Sequence, residues 1–463
     1  MPRPDGHSFW IDSPLVKILT ALEPVAGVQT TPSEHAIEHA NRRTLRILFL
    51  LQEFPYPPCN GFRWKVLTLL QGISRRHECH VLSFADGLSE SMVERFLQEY
   101  PTVKILGLFS PRKTTMLTRL RGLLSVGLPS AGAYSIPAFR AAVRRALAET
   151  QYDVVHIDMI NLVQYTPPFA RCGIVLSVND AVSLGYENAA NHSPSLVDRV
   201  HKKAAGRIIA RYERRAYRRR VVHVVSLVDR AYLKELCPSA QVEVVQLAVD
   251  PTYLKDEWRQ EQSERKTVTI PANFSLPSVS EAVLRFLKTS TALGKREHLN
   301  LVFKLVGPGA DRAFLQRLGG LEGAEYLGWV PDYLGTLASS DLVVFPETSG
   351  SETKTRVLQA MALAKPVLMT RVAADGVGAT HGEHCFVCQT TEAFAEALVY
   401  LLNNDRIGMR LGSMARAFVQ RHYSLDVVAQ RWETLYRSVA AMANPGTCLI
   451  ARSGRPGDEA SPR

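Results

Sequence analysis

Residues 345–370 read FPETSGSETKTRVLQAMALAKPVLMT. The pattern predicts a strand that ends near Phe345, a loop rich in serine and glycine, a helix that begins at about Thr353, and a second strand. Val357 and Met361 recur at helical spacing and are expected to face a core. A strand, a crossover helix and a further strand form the basic unit of a parallel α/β sheet.

The same alternation of strands and helices continues outside this unit. In the first half of the chain, residues 45–51 (LRILFLL) form a continuous apolar run of the kind that is buried on both faces of a parallel sheet. The charged stretch 251–265 contains no strand-like run and interrupts the pattern. The sequence therefore predicts an α/β protein with two doubly wound, Rossmann-like domains that face a central cleft.

The predicted organisation has five parts. They are an N-terminal extension (1–43), a first domain (44–255), a second domain (256–422), a C-terminal helix expected to pack back on the first domain (423–443), and a tail (444–463). The tail is expected to be disordered because it is polar and rich in glycine and proline.

The composition is that of a globular protein. Among 463 residues, 46% are hydrophobic and 21% are charged, which excludes a largely disordered chain. The sequence contains no run of about 18 apolar residues that would predict a membrane span, and residues 1–13 do not resemble a secretory signal. The seven cysteines are odd in number and scattered, which suits reduced thiols. We therefore expect a cytoplasmic protein.

Two motifs are weak signals for a metal. Cys385 and Cys388 form CFVC, but the sequence offers no second pair that would complete a zinc site. The motif HECH at residues 77–80 is expected to enter a strand, where successive side chains point to opposite faces. We therefore expect buried free thiols and no metal site.

The chain is basic, with a formal net charge of +11. Its densest basic run begins at Arg199 and ends at Arg220, includes one acidic residue, Glu213, and has the spacing of a helix. A solvated surface helix and a patch for an anionic membrane surface or another polyanion both fit this run. The basic and apolar stretch 112–128 favours surface association, so we expect attachment at the inner face of a membrane and no nucleic acid partner. An apolar stripe is predicted along the basic helix at Ala205, Ile208, Ile209, Tyr212 and Ala216.

Several residues that follow predicted strands are candidates for a ligand site. In doubly wound sheets, ligands bind beyond the carboxyl ends of the strands. The loops at those ends contain Gly61 and Asp158 in the first half of the chain, and Asn273, Gly307 and Val330 in the second. We expect the side chains and backbone of these loops to line the cleft.

Two cations lie in the first turn of the helix that begins at about Thr353. Lys354 and Arg356 are unfavourable near the positive end of the helix dipole, by a few tenths of a kcal/mol up to about 1 kcal/mol. An anion bound to the unpaired N–H groups of that turn would reverse the sign. Glu352, Arg356 and Gln359 share one face of the helix. Their placement indicates a phosphate-binding helix start.

Seven segments, in this order, carry a resemblance to a known family. In the first half they are FPYPPCNGFRWKVLTLL, HECHVLSF, YDVVHID and YERRAYRRRVVHVVSLVDRAYL. In the second half they are LVFKLVGPG, YLGWVPDYLGTLASSDLVVFPE and TKTRVLQAMALAKPVLMT. From about residue 45 to residue 442, the chain resembles the retaining glycosyltransferases of family 4 (group 1), which have the GT-B fold.

The resemblance implies transfer of a sugar from a nucleotide diphosphate sugar, UDP- or GDP-linked, with retention at the anomeric carbon. The acceptor would be a glycan, a polyprenyl-linked or a small-molecule compound bound by the first domain, and the second domain would bind the donor. No essential metal and no cofactor are implied. The implied catalytic residues are Lys354, Arg356, Glu352 and Asp158, and the implied donor-binding residues are Gly61, Asn273, Gly307, Val330, Ser351, Thr353 and Gln359.

Some positions depart from the family pattern. The family's paired glutamates fall on Ser351 and Gln359, with Glu352 beside the first. Gln359 keeps one acceptor oxygen but lacks the charge, a difference of about 1 to 2 kcal/mol in donor binding. Asp158 stands where some relatives have a histidine. A catalytically degenerate GT-B scaffold is therefore the alternative to an active enzyme.

Overall fold

A computed structural model of the protein describes residues 43–58, 61–167, 172–191, 193, 195–255, 265–347 and 353–443. Within them lie two parallel sheets. The first has the spatial order β3-β2-β1-β4-β5-β6-β7, with strands β1 (Arg46–Leu51), β2 (Glu78–Phe84), β3 (Val103–Phe109), β4 (Val154–Asp158), β5 (Gly173–Asn179), β6 (Val221–Val224) and β7 (Gln241–Val244). The second has the order β10-β9-β8-β11-β12-β13, with β8 (Lys266–Pro271), β9 (Leu301–Val306), β10 (Ala324–Gly328), β11 (Leu342–Phe345), β12 (Val367–Thr370) and β13 (Phe386–Cys388).

Helices cover both faces of each sheet. In the first domain they are α1 (Gly61–Ile73), α2 (Glu90–Glu99), α3 (Met116–Val126), α4 (Pro137–Glu149), α5 (Val182–Asn191), α6 (Leu196–Ala216) and α7 (Leu227–Leu236). From the second domain to the end of the described chain they are α8 (Pro277–Arg296), α9 (Arg312–Leu318), α10 (Tyr333–Ala338), α11 (Thr353–Ala362), α12 (Arg371–Ala374), α13 (Thr391–Asn403), α14 (Asp405–Tyr423) and α15 (Leu425–Ala443).

The central strands are apolar because each supplies two hydrophobic cores. In β1, Leu48 and Leu50 belong to the core on one face of the sheet, and Ile47 and Phe49 belong to the core on the other. This split is the period-two alternation of a strand, and it requires apolar residues at every position when both faces are covered. Strand β11 divides in the same way between the two cores of the second sheet.

The last helix returns to the first domain. Trp432 and Tyr436 of α15 pack in the same core as Phe49, and the Tyr436 hydroxyl lies 2.8 Å from Nδ1 of His156 on β4. Helix α15 lies close to β5 because Gly173 has no side chain: a Cβ there would lie 2.6 Å from Val439. Each aliphatic side chain fully buried in this contact contributes roughly 1.5 to 3 kcal/mol. The end of the chain thus stabilises the sheet at its beginning.

The described helices differ from the sequence predictions at a few places. Helix α11 begins at Thr353, as the pattern predicted, whereas the basic helix does not match its predicted range. The basic helix was expected over 199–220; α6 begins at Leu196 and ends at Ala216, and Arg219 has a left-handed φ of 56° that no helix accommodates. Its predicted apolar stripe was wrong at Ile208, which is 39% exposed.

Within the described residues, no helix is long and apolar enough to cross a membrane. In the same part of the chain, no group of three histidine, cysteine or acidic residues is placed to hold a metal ion. Cys385 and Cys388 are buried free thiols, as predicted, and burial raises the pKa of each to about 12. Apart from Arg43, the predicted extension and the tail lie outside the described residues.

Candidate functional site

Three loops at the carboxyl edge of the second sheet are bonded to one another. After β8, the Asn273 side chain accepts hydrogen bonds from the backbone N–H of Ser275 (3.2 Å) and its hydroxyl (2.7 Å), which closes an Asx turn. After β9, the N–H of Gly307 donates to the carbonyl of Gly328 at the end of β10 (2.8 Å). Gly307 has φ of 135°, and a Cβ there would lie 1.8 Å from the carbonyl oxygen of Ala272. Any side chain at residue 307 would push these loops apart.

Arg356 of α11 connects this edge to the loop after β11. Its Nη1 donates to the carbonyl of Pro271 at the end of β8 (2.8 Å), and its Nη2 donates to Oε1 of Glu347 (3.0 Å). The Glu347 side chain is 2% exposed and that of Arg356 is 20% exposed. A buried carboxylate thus orients a partly accessible guanidinium, whose remaining N–H groups bond to none of the described residues and can meet a ligand.

The helix that carries Arg356 is fixed by its apolar side. Val357, Leu358 and Met361 are buried, as the helical spacing predicted. Because side chains three and four apart share a face, their burial leaves Arg356 and the half-buried Gln359 away from the core. The backbone of α11 begins at Thr353, so its unpaired N–H groups lie directly after the loop that follows β11.

Tyr333 ends the candidate loop 328–333, and the sequence analysis gave it no role of its own. It begins α10, and the charges of Arg356 and Glu347 act on its hydroxyl, whose pKa is raised mainly by burial. Within the described part of the chain, that hydroxyl has no hydrogen-bond partner. A buried tyrosine O–H normally finds one, so it is available to a ligand or a neighbouring loop. The signal in the sequence was its place at the end of the loop that follows β10.

The remaining donor-side predictions are placed as follows. Val330 is half-buried in the loop after β10. Gly61 is the first residue of α1, and a Cβ built there would meet no described atom within 4 Å, so open space lies beside it. The structure brings Asn273, Gly307 and Arg356 together through Pro271 and Ala272, whereas Gly61 belongs to the first domain.

Part of the predicted site falls on residues that are not described. Ser351 and Glu352 lie outside the described residues. For Thr353 and Lys354 the helical backbone is described and the side chains are not. Their predicted roles in holding a phosphate therefore stay predictions.

Asp158, the predicted catalytic residue of the first domain, lies in a buried ion pair. Nζ of Lys65 on α1 donates to Oδ1 of Asp158 at 2.5 Å, to Oδ1 of Asn179 at 2.5 Å and to the hydroxyl of Ser177 at 3.0 Å. The side chains of Lys65 and Asp158 are 4% and 3% exposed. Burial raises the pKa of Asp158, and the charge of Lys65 opposes that shift. In this position Asp158 bonds to protein, and its predicted contact with substrate stays a prediction.

The Lys65 network also holds two unusual backbone conformations. Met159 and Asn179, at the ends of β4 and β5, have left-handed φ values of 70° and 68°. Such conformations cost roughly 1 to 3 kcal/mol each unless the surroundings stabilise them. The bond from Lys65 to Asn179, together with that from the N–H of Met159 to the carbonyl of Ser177 (2.8 Å), supplies that support. Sequence reasoning missed Lys65, although a lysine between Trp64 and Val66 in an apolar helix was a signal.

The second domain matches a known family. Residues 265–404 fit the family model described as "Glycosyl transferases group 1". The second domain belongs to the group 1 glycosyltransferases. A curated relative, N-acetyl-alpha-D-glucosaminyl L-malate synthase of Bacillus anthracis, is 26% identical over 196 residues, which are 41% of this chain and 50% of the relative. The matched stretch thus spans half the length of that relative.

Solved structures show the same two-domain fold as this chain. Sucrose-phosphate synthase from Thermosynechococcus elongatus superposes with a TM-score of 0.62 at 15% identity, over 86% of this chain and 100% of its own. HepE from Anabaena, in complex with UDP and glucose, gives a TM-score of 0.59 at 15% identity over 85% and 100%. WaaG, described as a glycosyltransferase of lipopolysaccharide biosynthesis, gives 0.57 at 15% identity over 86% and 100%. The predicted GT-B class, with two Rossmann-like domains, is confirmed.

Proposed function

We propose that this protein transfers a sugar from a nucleotide diphosphate sugar, UDP- or GDP-linked, to an acceptor bound by the first domain. The observation that carries the proposal is the start of α11 in a group 1 domain, where Arg356 is held by Glu347 and Pro271 beside the loops of Asn273 and Gly307. HepE, which shares the fold, was solved with UDP and glucose.

The diphosphate would lie against the first turn of α11. The backbone N–H groups from Thr353 onward face an anion there, and Lys354 and Arg356 add positive charge. Glu347 offsets part of the Arg356 charge, so Lys354 carries more of the electrostatic stabilisation of the leaving group. Ser351 and Glu352 precede the turn and complete the proposed contacts.

The nucleoside and sugar would occupy the loops around this turn. Val330 borders the base, Gln359 offers one acceptor oxygen to the ribose, and Gly307 lines the same pocket. Gly61 of the first domain lets backbone approach the phosphates, in keeping with the open space beside it. With Lys354, Arg356 and the backbone N–H groups of α11 opposing the charge of the diphosphate, no metal ion or cofactor is required.

Retention at the anomeric carbon is the proposed stereochemistry. The leaving phosphate would accept the proton of the acceptor hydroxyl, so a side-chain base is not needed. This agrees with Asp158 being bonded to Lys65 in the interior. The acceptor would be a glycan, a polyprenyl-linked or a small-molecule compound.

The second candidate function is a degenerate GT-B scaffold that binds a partner without turnover. Gln359 and Ser351, which stand at the positions of the family's paired glutamates, favour it. The two functions differ in one measurable property, since a scaffold has no reason to bind a sugar nucleotide tightly.

Titration calorimetry of the full chain with UDP, GDP and ADP tests the proposal. We expect saturable binding of one nucleotide, and Gln359→Glu should tighten it by about tenfold because a carboxylate accepts stronger hydrogen bonds than an amide. Gln316→Glu on α9, which adds the same charge at an exposed site of the same domain, is the matched control. A folded protein that binds none of the three nucleotides would support the scaffold.

A further inference from the structure

Helix α3 shows its apolar residues to solvent. Of its 11 residues, the one that is buried is Gly122. Met116, Leu117 and Leu124 are 75% to 89% exposed, and Leu120 and Leu123 are also exposed. Leu117, Leu120 and Leu124 follow the i, i+3, i+7 spacing of a single helix face. A surface helix normally turns such a face toward a core, and this one does not.

The helix is held in place without those leucines. A Cβ at Gly122 would lie 2.6 Å from the backbone of Gly132, and a Cβ at Gly132 would lie 1.8 Å from the carbonyl oxygen of Thr118. Backbone therefore packs on backbone between α3 and the short 3₁₀ helix Pro129–Gly132. A capping box between Thr115 and Thr118 fixes the start of α3. Because α3 docks through glycines, its leucines remain free for another contact.

Positive charge surrounds this exposed face. Residues 100–148 contain eight lysine and arginine residues and no aspartate or glutamate. On one side of α3, a hollow against α6 is lined by Leu123 together with four arginines: Arg207, Arg211, Arg214 and Arg215. On the other side, a hollow against the start of α4 is lined by Arg121, Arg140 and Arg144. We call the exposed side of α3 with these two hollows the leucine–arginine face.

We propose that the leucine–arginine face binds an anionic phospholipid bilayer, with the leucines of α3 entering the boundary between headgroups and acyl chains and the flanking arginines contacting lipid phosphates. An amphipathic helix rich in leucine and bordered by arginine is suited to that depth of a bilayer. Positive charge also favours an anionic bilayer over a second copy of this chain as the partner of this face. A second copy of this chain would bring the same cations against each other and be repelled.

The leucine–arginine face differs from the membrane surface that the basic run 199–220 suggested by itself. Arg199 donates to the carbonyl of Ser193, and half-buried Arg220 donates to Thr166, so the two ends of that run are engaged within the domain. The middle of α6 supplies one rim of the face, and α3 supplies the apolar surface that the run lacks. The face comprises neither Lys65 nor Arg356, so it stands independently of the proposed transferase activity.

Vesicle co-sedimentation of the full chain tests this face. Vesicles of phosphatidylcholine with about one third phosphatidylglycerol should bind the protein, and vesicles of phosphatidylcholine alone should bind it at least tenfold more weakly. The double variant Leu117→Gln/Leu124→Gln should lower binding to the anionic vesicles at least tenfold. Both sites are exposed, so its melting temperature should be unchanged. The matched control is Leu315→Gln/Met409→Gln, which removes two exposed apolar residues from α9 and α14.

A second pair of variants isolates the charge. Arg207→Gln/Arg211→Gln should weaken binding to the anionic vesicles and reduce its dependence on salt, whereas Arg406→Gln/Arg410→Gln, with the same spacing on α14, should not. Equal binding to neutral and anionic vesicles, no binding to either, or full binding by the leucine variant would each overturn the proposal. Self-association that depends on the leucines, in protein that ignores anionic vesicles, would also overturn it.

Discussion

The carboxyl edges of the two sheets use an ion pair in different ways. In the first domain, Lys65 gives three hydrogen bonds to protein acceptors, and both it and Asp158 are at most 4% exposed. In the second domain, Arg356 makes two protein contacts and keeps a fifth of its side chain exposed, while Glu347 is buried behind it. The sheets have the same strand order at their centres, so this difference lies in the side chains.

This difference distinguishes a carboxyl edge whose ion pair stabilises the fold from one whose ion pair can meet a ligand. A cation whose donors all bond to buried acceptors stabilises the loops around it. A guanidinium that is oriented by a carboxylate but still accessible is preorganised for an anion. The first pair should therefore govern stability, and the second should govern binding and activity.

The largest effect is expected when the first pair is broken. Lys65→Met leaves the carboxyl of Asp158 buried without its cation, so the free energy of unfolding should fall by about 3 to 5 kcal/mol. Urea denaturation followed by circular dichroism measures it.

The matched control removes both charges. Lys65→Met/Asp158→Leu should recover a large part of the loss, because an apolar pair needs no compensation. If Lys65→Met lowers the free energy of unfolding by less than about 1 kcal/mol, the ion pair does not stabilise the fold in the way described.

A buried carboxyl that forms no ion pair within the described part of the chain, that of Glu213, sharpens the comparison. Glu213 on α6 accepts hydrogen bonds from the N–H of Val182 (2.9 Å) and from Ser183, and burial raises its pKa to about 7. Unfolded glutamate has a pKa of about 4.3, so between these values the folded state binds the proton more tightly. The contribution of Glu213 to the free energy of unfolding should therefore fall, by up to about 3 kcal/mol, as pH rises from about 4.3 to 7.

Comparison of urea midpoints across that pH range checks the sign. Glu213→Gln should remove this fall, since an amide does not titrate. Glu187→Gln on the exposed side of α5 should leave it intact. Burial lowers the pKa of several histidines, among them His156 and His223, and this adds an opposite trend with pH, so the informative quantity is the difference in unfolding free energy between wild type and Glu213→Gln. A difference that stays level from pH 5 to pH 7, or that moves in favour of the wild type, would contradict the assignment.

The smallest change in stability is expected at the second pair. Arg356→Lys keeps a positive charge beside Glu347 but cannot reproduce the forked contact in which one guanidinium nitrogen donates to Pro271 and the other to Glu347. Nucleotide affinity and sugar transfer should fall by about 10- to 100-fold, or about 1.4 to 2.7 kcal/mol, while the unfolding free energy changes by about 1 kcal/mol. Calorimetry and a transfer assay measure the two.

Its control is Arg371→Lys, an exposed arginine of α12 in the same domain, which should change neither quantity. If Arg356→Lys unfolds the domain and leaves nucleotide affinity untouched, the contrast between the two edges fails.

Much of the fold could be predicted from the sequence, because a strand that is buried on both faces is apolar at every position of its own short segment. The apolar runs of β1 and β11, and the helical spacing of Val357 and Met361, each follow from which sides of one element are covered. Helix α3 was not predicted, for the opposite reason. Its leucines face solvent, so its apolar residues mark an exposed surface and not a hydrophobic core.

The candidate site was accessible in part. The start of α11 and the glycine after β9 were found because strand ends and helix starts can be located by pattern. No role was predicted for Tyr333 or Lys65, since their importance depends on neighbours that lie far away in the sequence. The pairing of Gly122 with Gly132 was missed for the same reason.

The sequence by itself determined two parallel α/β domains, the strand ends where ligands can bind, and the excess of positive charge. The tertiary structure alone decided that Lys65 meets Asp158, 93 residues away, and that Arg356 meets Pro271, 85 residues away. The physical reason is that periodicity records whether a side chain is covered, whereas its partner is set by which strands lie side by side at one edge of a sheet.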